Sequence, residues 1–358
     1  MGVFVDQLTS ARPKIRFGDR AFAGISNTAG VSILALLAAV FIFLLVSSGN
    51  VLVASGQDII KHVGFARGMT FWQFAGITVF GTLLAALIAL IIAVPFAVGI
   101  ALFISHYAPR RLAAAFGYVI DLLAAIPSVV FGLWGMWTLE PLMRPVFTWI
   151  SGVLMPLFTF ISGKPAADAA GGGAWEGGLP GLSWLAQNYQ WWPLRADAAA
   201  FVPPGRNILM GGLILAIMIL PIITSLSREV FNQTPRLQEE ASLALGATRW
   251  EMIKMVVLPH GRSGVVSASM LGLGRALGET MALLMVLSPG MMVNFKLMSP
   301  GQHSTIASQI ALRFPEASGL ESDFLIALGL ILFVITFAVN FIARAIVARY
   351  AEFSGANA

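Results

Sequence analysis

Six long apolar runs dominate the chain, at about residues 29–49, 75–104, 117–139, 207–227, 263–288 and 324–346. Each holds roughly the 20 apolar residues a helix needs to cross a bilayer core, so the pattern predicts six transmembrane helices. The second is long enough to tilt or protrude, and Pro95 can kink it. A seventh stretch, 146–162, is shorter, contains Pro156 and alternates with Thr and Ser. If it spanned, the polar segment 228–262 would change sides and the charge pattern would be scrambled. It is therefore expected to be an external amphipathic or re-entrant helix.

Charge orients the spans. With the N-terminus inside, the cytoplasmic segments hold Arg12, Lys14, Arg16, Arg20, Arg110, Arg111, Arg344, Arg349 and the bases of 228–262. The longer outer segments hold fewer. The bias favours an N-in, C-in topology. The expected organisation is a cytoplasmic segment 1–28, helices one to three over 29–139 and an extracytoplasmic loop 140–206. Helices four to six follow over 207–346, with a cytoplasmic loop at 228–262 and a tail at 347–358. The run 30–46 lies behind 29 residues with four bases, too far in for a cleaved signal peptide, and reads as a retained span. The loop 140–206 is rich in Gly, Pro and Trp, and Trp commonly sits at headgroup level or on a docking surface.

Composition agrees with an integral membrane protein: 58% of residues are hydrophobic and only 11% charged, against about a quarter in a soluble domain. There is no cysteine, which excludes disulfides, thiolate metal sites and a thiol nucleophile. The four histidines share no ligand spacing, so no metal site is expected. The excess of Lys and Arg reads as inner-loop charge rather than as a nucleic-acid surface. No GxxxxGK[ST] occurs, so any ATP chemistry belongs to a partner. "GLGRALG" has the wrong spacing for a dinucleotide fingerprint and no strand before it.

The loop 228–262 is more than a connector. Thr234 and Pro235 can open a helix in which Leu237, Ala241, Ala244 and Leu245 share a face. Gly246 ends it, Thr248 can cap a second short helix, and Pro259 is expected to stop that one. Two amphipathic helices hinged at a glycine make a docking surface. The stretch Glu240-Ala241-Ser242, three residues, Gly246, nine residues, Val256-Val257-Leu258-Pro259 resembles the EAA loop of ABC importer permeases. Ser242 and Val256 are conservative departures from the pattern. The resemblance implies that Glu240, Ala241, Gly246, Leu258 and Pro259 form the element that docks on an ATP-hydrolysing subunit. A hairpin lying on the bilayer is the alternative, but its Glu239, Glu240 and Glu251 fit that poorly.

Within the fifth run, Arg275 and Glu279 are the only charges between Arg262 and Lys296. Each costs about 2.5–3.5 kcal/mol at the centre of a membrane helix on insertion scales. Four residues apart, they would share a helix face and pair, in the less favourable order. Gly274 and Gly278 form a GxxxG that admits a close neighbour. Two readings fit. Arg275 can face a polar pathway and meet an anion, with Glu279 holding it and keeping the bound state transient. Alternatively the pair locks two helices together. Ser128 beside Pro127, and Thr280, can line the same pathway or serve kinking and helix contact.

"LLAAIPSVVFGLWG" at 122–135, "GLGRALGETMA" at 272–282 and "ALGLILFVITF" at 327–337 resemble the PstC-type permeases of the bacterial phosphate (Pst) ABC importer. These lie within the binding-protein-dependent transport permease family. The resemblance implies an all-α, six-helix, MetI-like permease core forming half of a pore in a bacterial plasma membrane. It implies roles for Arg275 and Glu279 in phosphate passage. It also implies a second, PstA-like permease, a PstB-like ATPase dimer holding ATP and Mg, and a PstS-like external phosphate-binding protein. The chain itself would carry no cofactor and touch lipid. Alternatives are a sulfate or molybdate permease, an ATP-independent channel or secondary transporter, and a membrane scaffold.

Overall fold

The computed structural model describes residues 17–165, 175–199 and 206–353. Arg12, Lys14 and Arg16, parts of the Gly- and Pro-rich loop, and the end of the tail lie outside the described residues. The helices are α1 (Phe17–Ser47), α2 (Gly49–Val53), α3 (Gly56–His62), α4 (Phe71–Leu102), α5 (Arg110–Ala124), α6 (Ser128–Trp134) and α7 (Glu140–Ser162). They continue with α8 (Leu182–Asn188), α9 (Ile208–Asn232), α10 (Arg236–Ala244), α11 (Arg249–Met252), α12 (Leu258–Leu277), α13 (Met281–Val286), α14 (Ile306–Arg313) and α15 (Leu320–Phe353). Apart from a two-residue pairing of Lys164–Pro165 with Trp175–Glu176, the described residues form helices and loops.

Side-chain contacts give the direction of each helix. α12 runs antiparallel to the second half of α9. A Cβ at Gly261 would meet Phe231, at Gly264 Val230, and at Gly272 Ile223 and Ile219. Gly261, Gly264, Ala268 and Gly272 recur every three or four residues, and this small stripe lets the two backbones approach. α4 runs parallel to α9, with Gly212 against Ile88 and Ala85 and Phe231 clustered with Ala101 and Leu102. α15 starts beside the start of α4, where Phe324 stacks edge-on with Phe71 and Phe74. α1 runs back along α15 through Phe41–Phe333 and Leu44–Gly329. The start of α1, the segment 233–257 and the end of α15 therefore share one end of the bundle, here the near end.

Among the described residues, five helical runs are long and apolar enough to cross a membrane: Phe22–Ser47, Phe71–Tyr107, Ser128–Ser162, Ile208–Asn232 and Leu320–Ala345. The core is the α4–α9–α12 interface, built on Ile88, Ile214, Met218, Ile219, Ile223 and Leu277. α1 faces outward along its length, with Leu34, Ile42 and Val46 exposed, as a lipid-facing helix requires.

Three sequence expectations need correction. The third run, 117–139, is not one helix: α5 ends at Ala124, and α6 begins after Pro127. Proline disfavours helical geometry in the residue before it, so the chain breaks there. The stretch 146–162 is not a separate helix either. The chain stays helical from Ser128 to Ser162, with a π-turn at Gly135–Leu139 just before Pro141. A π-turn loosens the hydrogen-bond ladder where a proline lacks its donor. The fifth run, 263–288, is also broken: α12 stops at Leu277 and α13 starts at Met281.

One folded element was not expected. Gly212 lies level with Ala85 and Ile88, so the first turns of α4 stand beyond the far end of α9. There Val51, Ile59, Val63, Phe71, Phe74, Ile306, Phe324 and Leu328 form a second apolar core. It is built from α2, α3, α14 and the starts of α4 and α15.

Candidate functional site

At the near end, α10 and α11 form the hinged pair that the sequence indicates. Pro235, not Thr234, occupies the cap of α10, and the Thr234 hydroxyl is buried without a partner. Gly246 has φ +89°, a left-handed conformation in which glycine escapes the Cβ clash. Thr248 caps α11 as expected: its hydroxyl accepts from the Glu251 N–H, and Glu251 accepts from the Thr248 N–H at 2.8 Å. These contacts hold the Glu251 carboxyl below the usual carboxylate range, the backbone N–H contributing most. Pro259 does not stop the helix. A π-turn at Ile253–Val257 precedes it and α12 runs on, with the proline in its first turn.

The hairpin exposes its apolar side chains. Leu237 is 80% and Leu245 90% exposed, beside exposed Trp250 and Met255. Glu240, Ala241, Gly246 and Pro259 are also exposed, and Leu258 is half-buried. Exposed apolar side chains concentrated at one chain reversal mark an interaction surface.

The second site is the break between α12 and α13. Gly272 packs on Ile219 and Ile223, at the middle of the 25-residue α9. Arg275, three residues on, therefore sits near the middle of the bundle. It lies in the last turn of α12, where the helix dipole favours a cation. Glu279 lies past the break, 7% exposed, and its Oε1 accepts the Ala282 N–H of α13 at 3.0 Å. The expected pair does not form. Gly278, at φ −90° and ψ 0°, ends the helix, so the two residues no longer share a face. Among the described residues, Arg275 forms no hydrogen bond or ion pair.

The glycine reading also changes. A Cβ at Gly274 would meet nothing within 4 Å, and one at Gly278 only its own turn at 3.8 Å. This GxxxG brings no neighbour of this chain close. Instead Leu271, Gly274, Arg275, Gly278 and Met281 lie along an open face, with Leu271 58% and Met281 45% exposed.

Ser128 opens α6 and is half-buried. A Cβ at Gly132 would lie 2.8 Å from the Ala282 Cα, and one at Gly135 would meet Val286. α6 and α13 thus run side by side in one direction, and the break at Pro127 lies level with the break at Gly278. The Thr280 hydroxyl donates to the Gly278 carbonyl at 3.1 Å, so it braces the break. Asp121 accepts from Ser225 of α9 at 3.3 Å, and the Ser269 hydroxyl donates to the Val265 carbonyl within α12. Among the described residues no group of His, Asp and Glu is arranged to hold a metal ion.

A family model of the binding-protein-dependent transport system inner membrane component matches residues 93–352. The chain belongs to this permease family. A Mycobacterium bovis protein named phosphate transport system permease protein PstC 2 is 42% identical over 92% of both chains. A PstC protein of Mesorhizobium japonicum is 35% identical over 94% of this chain and 92% of its own. A solved bacterial ABC transporter involved in the import of the acidic polysaccharide alginate shares the fold, with a TM-score of 0.53 at 15% identity. It covers 92% of this chain and 96% of that one.

In this permease the far-end loops also carry structure that the sequence did not reveal. Asp197 bonds Arg195 at 3.0 Å and Lys296 at 2.8 Å, tying the segment after α8 to the loop after α13. Burial raises the Asp197 carboxyl, but Lys296 and Arg195 together outweigh it and hold it below its ordinary value. No local spacing could have announced a tie between residues a hundred positions apart.

Proposed function

We propose that the chain is one permease subunit of an ATP-driven importer of inorganic phosphate, forming half of its translocation pathway. The names of its relatives and the unpaired guanidinium at the middle of the bundle support this reading. In it, the near end is cytoplasmic, and the α10–α11 hairpin seats Glu240, Ala241 and Gly246 on a separate ATP-hydrolysing dimer. A second permease faces the open side of α12, and an external binding protein delivers phosphate at the far end. Closure of the ATPases pulls the hairpin, and Leu258 and Pro259 carry that pull into α12. Arg275 then meets the passing oxyanion with several planar donors. Ser128 and Thr280 lie at the paired breaks, where irregular backbone is stable only beside protein or water. Glu279 holds α13 in place, and its charge discourages prolonged residence of an anion.

The observation that carries the reading is the free Arg275 guanidinium beside two helix breaks. The test is phosphate uptake by cells lacking their own importer, comparing wild type with Arg275→Gln and checking that the ATPase co-purifies. Uptake is expected to fall about tenfold or more, the scale of one lost charged hydrogen bond. Unchanged uptake with an intact complex would remove Arg275 from the pathway. Competition by sulfate or molybdate distinguishes the other oxyanions, and uptake without the ATPase would indicate a channel or secondary transporter.

A further inference from the structure

α10 is held away from the membrane helices it must move. None of its residues is buried. A cleft of about 1130 Å³, lined by Val98 of α4, by Ala241, Ser242 and Leu245, and by Pro259 and Val266, separates it from α4 and α12. A polar contact between described residues bridges that separation. His106 Nε2 lies 3.4 Å from Glu239 Oε1, with the two side chains 9% and 22% exposed. His106 sits in the π-turn Phe103–Tyr107 that ends the α4 span. Glu239 is in the first turn of α10, directly before Glu240.

The ring is oriented from behind. Its Nδ1 lies 2.6 Å from the Ser105 hydroxyl, which in turn lies 2.8 Å from the Ala101 carbonyl. With the Ser105 hydroxyl donating to Nδ1, the neutral ring carries its proton on Nε2, and that N–H donates to Glu239. The π-turn gives this ring its position, since a widened turn moves a side chain off the regular helical track.

We propose that His106 and Glu239 are positioning residues, forming a strut that carries movement of α10 directly into α4. The proposal rests on the importer reading above. Without the strut, α10 is joined to the bundle through Thr234 and through the π-turn at 253–257, which connect to α9 and α12. The contact adds a connection to α4, a long helix that neither end of the hairpin continues into. Its loss should leave the ATPases able to dock and hydrolyse while the spans follow them less faithfully.

The experiment uses the complete importer in liposomes, with inorganic phosphate and its binding protein, and reads phosphate imported per ATP hydrolysed. His106→Ala and Glu239→Ala are each expected to lower that ratio about three- to tenfold, the scale of one half-buried polar bond. The double variant should fall no further, and Glu239→Gln, which keeps an acceptor, should retain most of the coupling. An unchanged ratio in either alanine variant, or losses that multiply in the double variant, overturns the strut. A second readout does not depend on the substrate. The chain has no cysteine, so His106→Cys with Glu239→Cys gives a unique pair for a short cross-linker. Cross-linking both with and without ATP is expected, and its absence in both states refutes the contact. If wild type imports no phosphate, the importer reading fails while cross-linking still tests the strut.

Discussion

Replacing Glu279 separates two accounts of the charge at the helix break. Its carboxylate is 7% exposed and accepts the Ala282 N–H, and Ala282 itself is fully buried. Glu279→Ala strands that donor, at a cost of about 1–3 kcal/mol. Glu279→Gln keeps an oxygen within reach of the same N–H and should cost about 0.5 kcal/mol or less, the difference between acceptor types. A counter-ion for Arg275 would behave otherwise. Glutamine and alanine would then be equally harmful, since each would leave the half-buried cation without its partner. The assay is thermal unfolding of the purified complex, with a cycle of Arg275→Gln, Glu279→Gln and the double variant. The expected coupling is under about 0.5 kcal/mol, as for groups that do not touch. Glutamine as damaging as alanine, together with coupling well above that value, would refute the capping account.

Gly246→Ala should loosen the hairpin by about 1–2 kcal/mol through its φ of +89° alone, as a Cβ there meets nothing within 4 Å; reduced co-purification of the ATPase is the readout. Gly132→Ala would set a Cβ 2.8 Å from the Ala282 backbone and should destabilise the α6–α13 contact by about 1–3 kcal/mol. Gly274→Ala, with open space around it, should leave the chain's own thermal midpoint unchanged, so a loss of uptake would point to the facing permease. The Asp197 carboxyl is held below its unfolded value. Its stabilising contribution is therefore complete above that unfolded value, near pH 4, and is lost as pH falls through the lower folded one. Asp197→Asn should remove this component from a pH series of unfolding midpoints, and an identical pH profile would refute the tie.

The legible parts of the molecule were local. Long apolar runs announce spans because a bilayer demands about 20 such residues. The hairpin was readable because Gly246 and the Thr248–Glu251 box act within a turn of themselves. The breaks were less so. Pro127 in the sequence signals only a kink, and Gly278 looks like a contact glycine, since a GxxxG looks the same whether it packs a neighbour or ends a helix. The glycines that do pack were available in the Gly261, Gly264, Ala268, Gly272 stripe, which is continuous at helical spacing. The far-end core could not be read, because Phe71, Phe74 and Phe324 meet only after the chain has crossed the bundle and returned.

The two breaks explain why a cation and an anion stand so close in an apolar run. In an unbroken helix they would offset one another, and the segment would be neutral. The break gives each its own helix end. Arg275 lies at the end of α12, where unpaired carbonyls favour positive charge, and Glu279 lies at the start of α13, where unpaired N–H groups favour negative charge. Glu279 is occupied by that N–H, and the guanidinium is left with no protein partner among the described residues. α6 starts at the level of the same break. A lone guanidinium in a membrane bundle is costly to keep. Leu271, Gly274 and Met281 leave an open face beside it. The same break that prevents the ion pair therefore leaves Arg275 with no protein partner among the described residues.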